Sequence, residues 1–367
     1  MTLVEQLKAI KNQRGRAEAH PYDQIPCNET SDKEKLCKNP VVSIMVLAYN
    51  HDKYIRECLD SLVSQIADFE YEIVIGDDCS TDSTREICFE YQRRFPGKVR
   101  VLWSEENLYS YAGNELRVRY KCRGEYVTYC EGDDYYIDNH KLQKQVDLIR
   151  KTDAVMCVAF TDWVYSDHVV HSTYYPPAYN KSSGEPIILT VEDFKRHYFH
   201  TTTYMMRRDA FMALDTIYPR FVGLRSMQVA FCMAYQGKVC LLSEIVTAYR
   251  WTGTGEATSL NVFRAICFNI TAMFELYCHG PDELKPYSAR EIVNKLDAIF
   301  MIRRHFTPLI LAKYEIKDIW DARRDFLKMA VTDFRMTMTY RILYVLRVGL
   351  YFIESAVFKI WIKFKKV

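Results

Sequence analysis

Three carboxylates fall within four residues at Glu131-Gly132-Asp133-Asp134, directly after a short apolar stretch, Tyr126-Val127-Thr128, with the character of a buried strand. Like charges this close raise one another's pKa and repel unless a cation sits among them. Hard divalent ions such as Mg²⁺ or Mn²⁺ take oxygen ligands of this kind, often one or two carboxylates plus the phosphates of a substrate. The run Tyr129 to Tyr136 therefore points to metal-assisted chemistry on a phosphorylated substrate. Two more polar clusters close apolar runs in the same way: Tyr49-Asn50-His51 and Asp77-Asp78.

The elements that would position these clusters can be read from hydrophobic periodicity. Residues 41–47 form a continuous apolar run of strand length, and Ile55, Cys58, Leu59, Leu62, Val63 and Ile66 follow at helical spacing. Residues 72–75 read as a second strand. Ser80 to Ser83 offer cap chemistry for a helix running to about Arg94, which Pro96-Gly97 ends. Strands are expected at 99–103, 125–129 and 154–160, with helices at 113–123 and 139–151. Alternation of helices with uninterrupted apolar strands predicts an α/β fold with a mostly parallel sheet covered on both faces. Ligands of such sheets bind beyond the carboxyl ends of the strands, where all three polar clusters lie. Periodicity then lapses over 161–190. The segment 200–206 reads as a strand, 227–235 as a helix ending at Gly237, 239–242 and 245–249 as short strands, and 252–258 as a Gly-containing loop. From Leu260 the chain reads mostly as helix.

Composition bounds the function. The 367 residues carry a formal net charge of +2, so no global basic field points to nucleic acid. None of the 12 cysteines falls in a CxxC pair or zinc-like cluster, which predicts reduced thiols. Met1 to Arg16 is polar and lacks the apolar core of a signal peptide. Tyrosine is abundant, with 27 residues, a trait that polysaccharide-handling surfaces share with ordinary cores.

Three ordered blocks resemble the family 2 inverting glycosyltransferases of GT-A fold, in particular bacterial polysaccharide transferases with an EGDDYW-type motif. They are Val42-Ser43-Ile44-Met45-Val46-Leu47-Ala48-Tyr49-Asn50, Glu72 to Thr84, and Gly113-Asn114 through Gly124-Glu125-Tyr126-Val127 to Glu131-Gly132-Asp133-Asp134-Tyr135. The resemblance covers about 41–255 and implies roles. Ala48, Tyr49 and Asn50 would contact the nucleotide, and the pair Asp77-Asp78 would read the base, with Asp78 preferred. Asn114 and Gly132 belong to the donor site. Asp133 would hold Mn²⁺ or Mg²⁺ against the diphosphate of a nucleotide-sugar, with Glu131 near the ribose or the metal, and Arg250 would contact the diphosphate. Asp134 reads as a solvated turn or a helix cap. A sugar-nucleotide pyrophosphorylase is disfavoured, because Ala48 to Asp52 stands where its Gly-rich loop would be.

The acceptor side departs from the pattern. An inverting transfer needs a general base, and the family places an Asp near the start of the late helix; the corresponding place here holds Ser226, and no Asp or Glu occurs between Asp215 and Glu244. The YRxH pattern ends in Thr252 rather than His. His200 is the candidate base and Glu256 the weaker one, with a catalytically impaired sugar-nucleotide-binding partner subunit as the alternative function. In 339–367 an apolar stripe from Ile342 to Phe364 accompanies six basic residues and one acidic, which suits a helix at a membrane interface. The expected organisation is an appendage and linker at 1–40, a transferase domain at 41–258, a helical extension at 259–338 and the basic helix at 339–367. The expected acceptor is a glycan or polyprenyl-diphosphate-linked saccharide. The expected location is cytoplasmic, peripheral at the inner face of the membrane, with oligomerisation open.

Overall fold

The computed structural model describes residues 24–108, 113–165, 168–170, 179, 185–218, 225–252 and 262–303. The chain divides into two compact units, Ala9–Glu291 and Met1–Lys8 together with Ile292–Val367. The proposed loop at 253–258 with Glu256, and the basic helix 339–367, lie outside the described residues.

Ala9–Glu291 is built on one sheet. In chain order its strands are β1 (Asn28–Thr30), β2 (Val42–Ala48), β3 (Tyr71–Asp77), β4 (Val99–Trp103), β5 (Tyr126–Glu131), β6 (Tyr135–Tyr136), β7 (Met156–Val164), β8 (Val169–Val170), β9 (Ile187–Leu189), β10 (Met205–Arg207) and β11 (Val239–Arg250). The helices are α1 (Ile55–Val63), α2 (Thr84–Arg94), α3 (Asn114–Lys121), α4 (Lys141–Thr152), α5 (Val191–Arg196), α6 (Arg208–Ile217), α7 (Ser226–Gln236), α8 (Val262–His279) and α9 (Lys285–Arg303). The sheet order is β1-β4-β3-β2-β5-β10-β7-β11-β6, with β8 beside β7 and β9 beside β11.

The parallel core is β4-β3-β2-β5, all pairs in parallel register. Their side chains alternate between faces with period two. Val42, Ile44, Val46 and Ala48 of β2 share a core with Ile55, Cys58, Leu59 and Leu62 of α1, Cys88 of α2 and Val146 of α4. On the opposite face, α3 lies so close that a Cβ on Gly76 would stand 2.4 Å from Val118 and 2.5 Å from the amide of Asn114. That face also carries a buried charge network. Glu72 accepts from Ser43, Arg100 and Arg123, and Arg100 also pairs with Glu29 of β1. The stretch expected as linker thus supplies the edge strand β1, fastened by an ion pair.

Beyond β5 the sheet becomes mixed. Strand β10 runs antiparallel to both β5 and β7, while β7 and β11 run parallel. The expected strand at 200–206 is a single 3₁₀ turn, Thr201–Thr203, followed by the short β10. The hydroxyls of this turn find other partners: Thr203 donates to the His200 carbonyl, and Thr202 pairs with Thr247. The two strands expected at 239–249 are one strand with irregular register against β7. The cysteines among the described residues are free thiols, and among these residues no helix is long and apolar enough to cross a membrane.

Candidate active site

The turns after β2 and β3 brace each other. Asn50 adopts φ 53° and Cys79 φ 60°, left-handed conformations that cost Asn less than most residues. The Asn50 N–H donates to Ser80 Oγ at 3.0 Å, and its side-chain oxygen accepts from the Thr81 N–H at 2.8 Å. His51 N–H reaches Thr84 Oγ1 at 2.7 Å, and Asp52 N–H reaches Asp82 at 3.1 Å. Ala48 is buried at the foot of this turn, while Tyr49 is exposed beside Asn50.

The two aspartates after β3 have different places. Asp77 is fully buried; its Oδ2 pairs with Arg85 Nε at 2.7 Å, and its carbonyl accepts from Arg117 at 2.7 Å. Its Oδ2 and carbonyl anchor the loop, while its buried Oδ1 has no partner. Asp78 is also buried; its carboxylate accepts the Leu108 N–H at 2.8 Å, and its own N–H donates to the Ala48 carbonyl. Asn114 spends its amide on the Gly76 carbonyl at 2.9 Å and on Arg117 at 2.6 Å. Among the described atoms it acts as a strut between α3 and β3, not as a group turned outward.

The acidic segment follows β5 and closes over α1. Gly132 N–H donates to the Leu47 carbonyl, and a Cβ at this position would stand 2.6 Å from His51 Nδ1 and 3.0 Å from Ile55. Only glycine fits that approach. Asp134 is 1% exposed, so the expectation of a solvated turn or cap fails. Its Oδ1 accepts the Arg250 N–H at 2.9 Å, and its Oδ2 has no partner. Glu131 Oε1 accepts from Thr201 Oγ1 at 3.1 Å, and its buried Oε2 likewise has none. Burial, with Asp133 beside it, pushes the Glu131 carboxyl up to about 7. Burial and then the charges of Asp133 and Glu131 hold Asp134 well above the carboxylate range.

Two buried carboxyl oxygens without partners, beside a half-exposed Asp133, amount to a local deficit of positive charge. That donor set fits a hard divalent cation sharing ligands with a diphosphate. Among the described residues no group of three or more His, Cys, Asp or Glu is placed to hold a metal ion by itself.

On the far side, Arg250 pairs with Glu57 of α1 at 2.6 Å and lies over the rings of Tyr54 and Tyr135. His200 is 8% exposed; burial alone drives its pKa down to about 3. Its Nδ1 bonds Thr202 at 2.9 Å, and its ring packs 4.1 Å from Tyr249. This is a structural histidine, and the base role expected for it is not supported. Ser226 is the first residue of α7, as the spacing from Gly237 predicts, with its hydroxyl 3.2 Å from that of Tyr198. Sequence reasoning missed Thr201, Arg85 and Arg117, which hold site carboxylates and the β3 loop. Only contacts between distant segments give them that work.

Residues 43–215 match the family described as glycosyl transferase family 2. Over this stretch the chain is similar to that family. An uncharacterized protein of Mycobacterium tuberculosis is 32% identical over 210 residues, covering 57% of this chain and 58% of that protein. The chain therefore spans little more than half the length of the mycobacterial relative. The poly(ribitol-phosphate) beta-N-acetylglucosaminyltransferase TarS of Staphylococcus aureus is 40% identical over 97 residues, 25% of this chain and 16% of TarS. Among solved structures, residues 1–349 of TarS in complex with UDP-GlcNAc superpose with a TM-score of 0.53 at 21% identity, covering 78% of this chain and 80% of that one. The mannosyltransferase PcManGT of Pyrobaculum calidifontis, in complex with GDP-Man and Mn²⁺, gives 0.50 at 14% identity over 95% and 91%. At these identities the likeness is one of fold, the GT-A-like α/β architecture expected from the sequence.

Proposed function

We propose that this chain transfers a glycosyl unit from a nucleotide-diphosphate sugar, a UDP-sugar, to a hydroxyl of a glycan or lipid-linked oligosaccharide, with inversion at the anomeric carbon. The observation that carries the reading is the cluster Glu131 to Asp134, whose buried oxygens without partners lie past a parallel strand and beside the braced turns at Asn50 and Asp78. TarS, similar in fold, has been solved with UDP and with UDP-GlcNAc, which supports a uridine nucleotide. The motif Glu131-Gly132-Asp133-Asp134-Tyr135 places the chain, on this reading, with the EGDDYW-type transferases of cell-surface glycans.

Asp133, with Glu131, would hold Mg²⁺ or Mn²⁺. Such an ion, when bound, supplies Lewis-acid neutralisation of the departing diphosphate. The chain's own groups do the rest. The Asn50 turn and Asp78 hold the nucleoside, Gly132 lets the backbone close on His51, and Arg250 leaves Glu57 for a phosphate oxygen, where a guanidinium pairs well. Thr201 fixes the rotamer of Glu131. The test is thermal shift of the full chain with UDP or GDP and Mn²⁺, followed by donor hydrolysis and transfer with the stabilising nucleotide's sugars. Absence of any nucleotide-dependent shift sinks the reading.

A second reading rests on Ser226 at the head of α7 and on the buried His200. Without a carboxylate base there, the chain would be a nucleotide-sugar-binding subunit of a polysaccharide assembly complex. It would bind UDP with Mn²⁺ yet show neither transfer nor slow hydrolysis. The proposed setting for either reading is the inner face of the cytoplasmic membrane, reached through 339–367.

A further inference from the structure

The paired strands β7 and β11 carry aromatic residues that the donor site does not use. Their parallel register sets Tyr249 opposite Trp163 and Arg250 opposite Val164, and the Trp251 N–H extends the ladder to the Val164 carbonyl at 2.7 Å. Because successive side chains alternate, Trp163, Tyr165, Tyr249 and Trp251 share one face. The rings confirm it: Trp163 meets Tyr249 edge to face at 5.0 Å, and Tyr165 stacks with Trp251 at 6.1 Å and 28°. His168 lies flat on Tyr165 at 4.9 Å.

The face is graded. At the inner end Tyr249 rests on buried His200. At the outer end Trp251 is 43% exposed, bordered through β8 by exposed Val169 and Val170. One residue before Trp251, the backbone N–H of Arg250 donates to Asp134 of the acidic cluster. The platform therefore begins within one residue of the metal-binding segment. Trp251 is the exposed ring of the four, and Trp163, Tyr165 and Tyr249 are partly buried behind it.

We propose that this face is the acceptor platform, and that its occupant is a chain of neutral pyranose rings. The proposal rests on the glycosyltransferase reading above. A pyranose presents one face of C–H bonds and a rim of hydroxyls. The C–H face suits the electron-rich face of an indole or phenol, and the rim stays in water. The bordering residues on β8 are Val169 and Val170, which offer no counter-charge to a polyphosphate backbone. Continuity with the acidic cluster would lead the terminal sugar's hydroxyl toward the donor.

The test uses the full chain on a microarray of neutral pyranose oligosaccharides, with UDP binding in the presence of Mn²⁺ measured in parallel by calorimetry. The wild type should retain a subset of these glycans. Trp251→Ala and Tyr165→Ala should each lower retention by about tenfold or more, as truncated aromatic anchors do, while Trp251→Phe keeps most of it. Thermal melts show that the variants are folded, and UDP affinity should stay within about twofold in all of them, a margin under 0.5 kcal/mol. Retention of no glycan by the wild type, or equal retention by the Ala variants, overturns the platform. Glycan retention by a protein that binds no nucleotide would instead overturn the transferase reading and leave the platform standing.

Discussion

The two halves of the sheet are built by different rules. On the donor side, β4-β3-β2-β5 run parallel, and β2, β3 and β5 end in polar segments braced from elsewhere: Asn50 on Ser80 and Thr81, Asp78 on Leu108, Gly132 on Leu47. On the acceptor side, β10 is antiparallel to both neighbours, a 3₁₀ turn replaces a strand, and aromatic rings replace carboxylates. The first half gathers buried carboxyls that are held above their usual range, while the second offers aromatic ring faces. On the function proposed above, the first half would meet the charged leaving group and the second the acceptor sugar, and the names donor and acceptor follow that proposal.

The most direct way to break the comparison is Asp133→Ala. If the acidic cluster holds a divalent ion against a diphosphate, transfer should fall about 10³-fold, since Lewis-acid stabilisation is worth several kcal/mol. The measurement is initial rate at saturating Mn²⁺ with the donor found by thermal shift. Full activity would remove the metal from the donor half altogether.

Next comes Gly132→Ala. The added Cβ would stand 2.6 Å from His51 Nδ1 and 3.0 Å from Ile55, so the His51 ring, the acidic segment or the Asn50 turn must shift. A 1 Å misplacement at a reacting centre costs about 10²-fold, and that loss is expected here. The double variant Gly132→Ala/His51→Ala should recover part of it, because it removes the atom that clashes. Loss without any recovery would mean that the strain lies in the backbone and not in this contact.

The donor half was legible in the sequence because parallel strands buried on both faces read as plain apolar runs. Their ends are then marked by the first polar residues, Asn50, Asp78 and Glu131. What the sequence did not give away there was the direction of side chains: Asp77 turns to Arg85, Asn114 to the Gly76 carbonyl, and Asp134 inward to Arg250. These are contacts across 8 to 116 residues of chain. The acceptor half was poorly legible because its elements are short and irregular. His200-Thr201-Thr202-Thr203 has strand-like composition, but its hydroxyls satisfy the backbone locally and across to β11, which favours a tight turn. The aromatic face was hidden for another reason. Trp163 and Tyr165 lie in a stretch without clear periodicity, and only the register with β11 shows that they meet Tyr249 and Trp251.

Ser226 separates the active-enzyme reading from the binding-subunit reading. Its hydroxyl makes one neutral hydrogen bond, to Tyr198, worth about 1 kcal/mol, or a factor of about five. Ser226→Ala should therefore lower transfer by no more than that. A fall of a hundredfold would make Ser226 part of the proton-transfer machinery and give the acceptor half a polar centre of its own.

The smallest effect sits at the seam. Lys141, at the start of α4, is fully buried; its Nζ donates to Thr128 of β5 at 2.9 Å and lies over the ring of Tyr136. Thr128 and Cys157 of β7 are both register partners of Met205, so this amine lies where the two halves join. Burial lowers its pKa from 10.5 to about 7, against weaker upward pulls from Cys130, Cys157 and Asp138. The folded-state pKa is thus below the unfolded one. Below pH 7 the amine is charged in both states and its burial costs the fold in full. Between pH 7 and about 10.5 the unfolded chain binds the extra proton, so stability rises with pH across that window. Lys141→Met keeps the stem and removes the charge. Its melting temperature should exceed that of the wild type by a few degrees at pH 6, at about 2–4 °C per kcal/mol. The gain should shrink steadily by pH 10, as the wild type recovers what charge burial had cost it. A gain that does not depend on pH would mean that the folded-state pKa of Lys141 equals the unfolded one, and that the amine keeps its charge at the seam between the two halves.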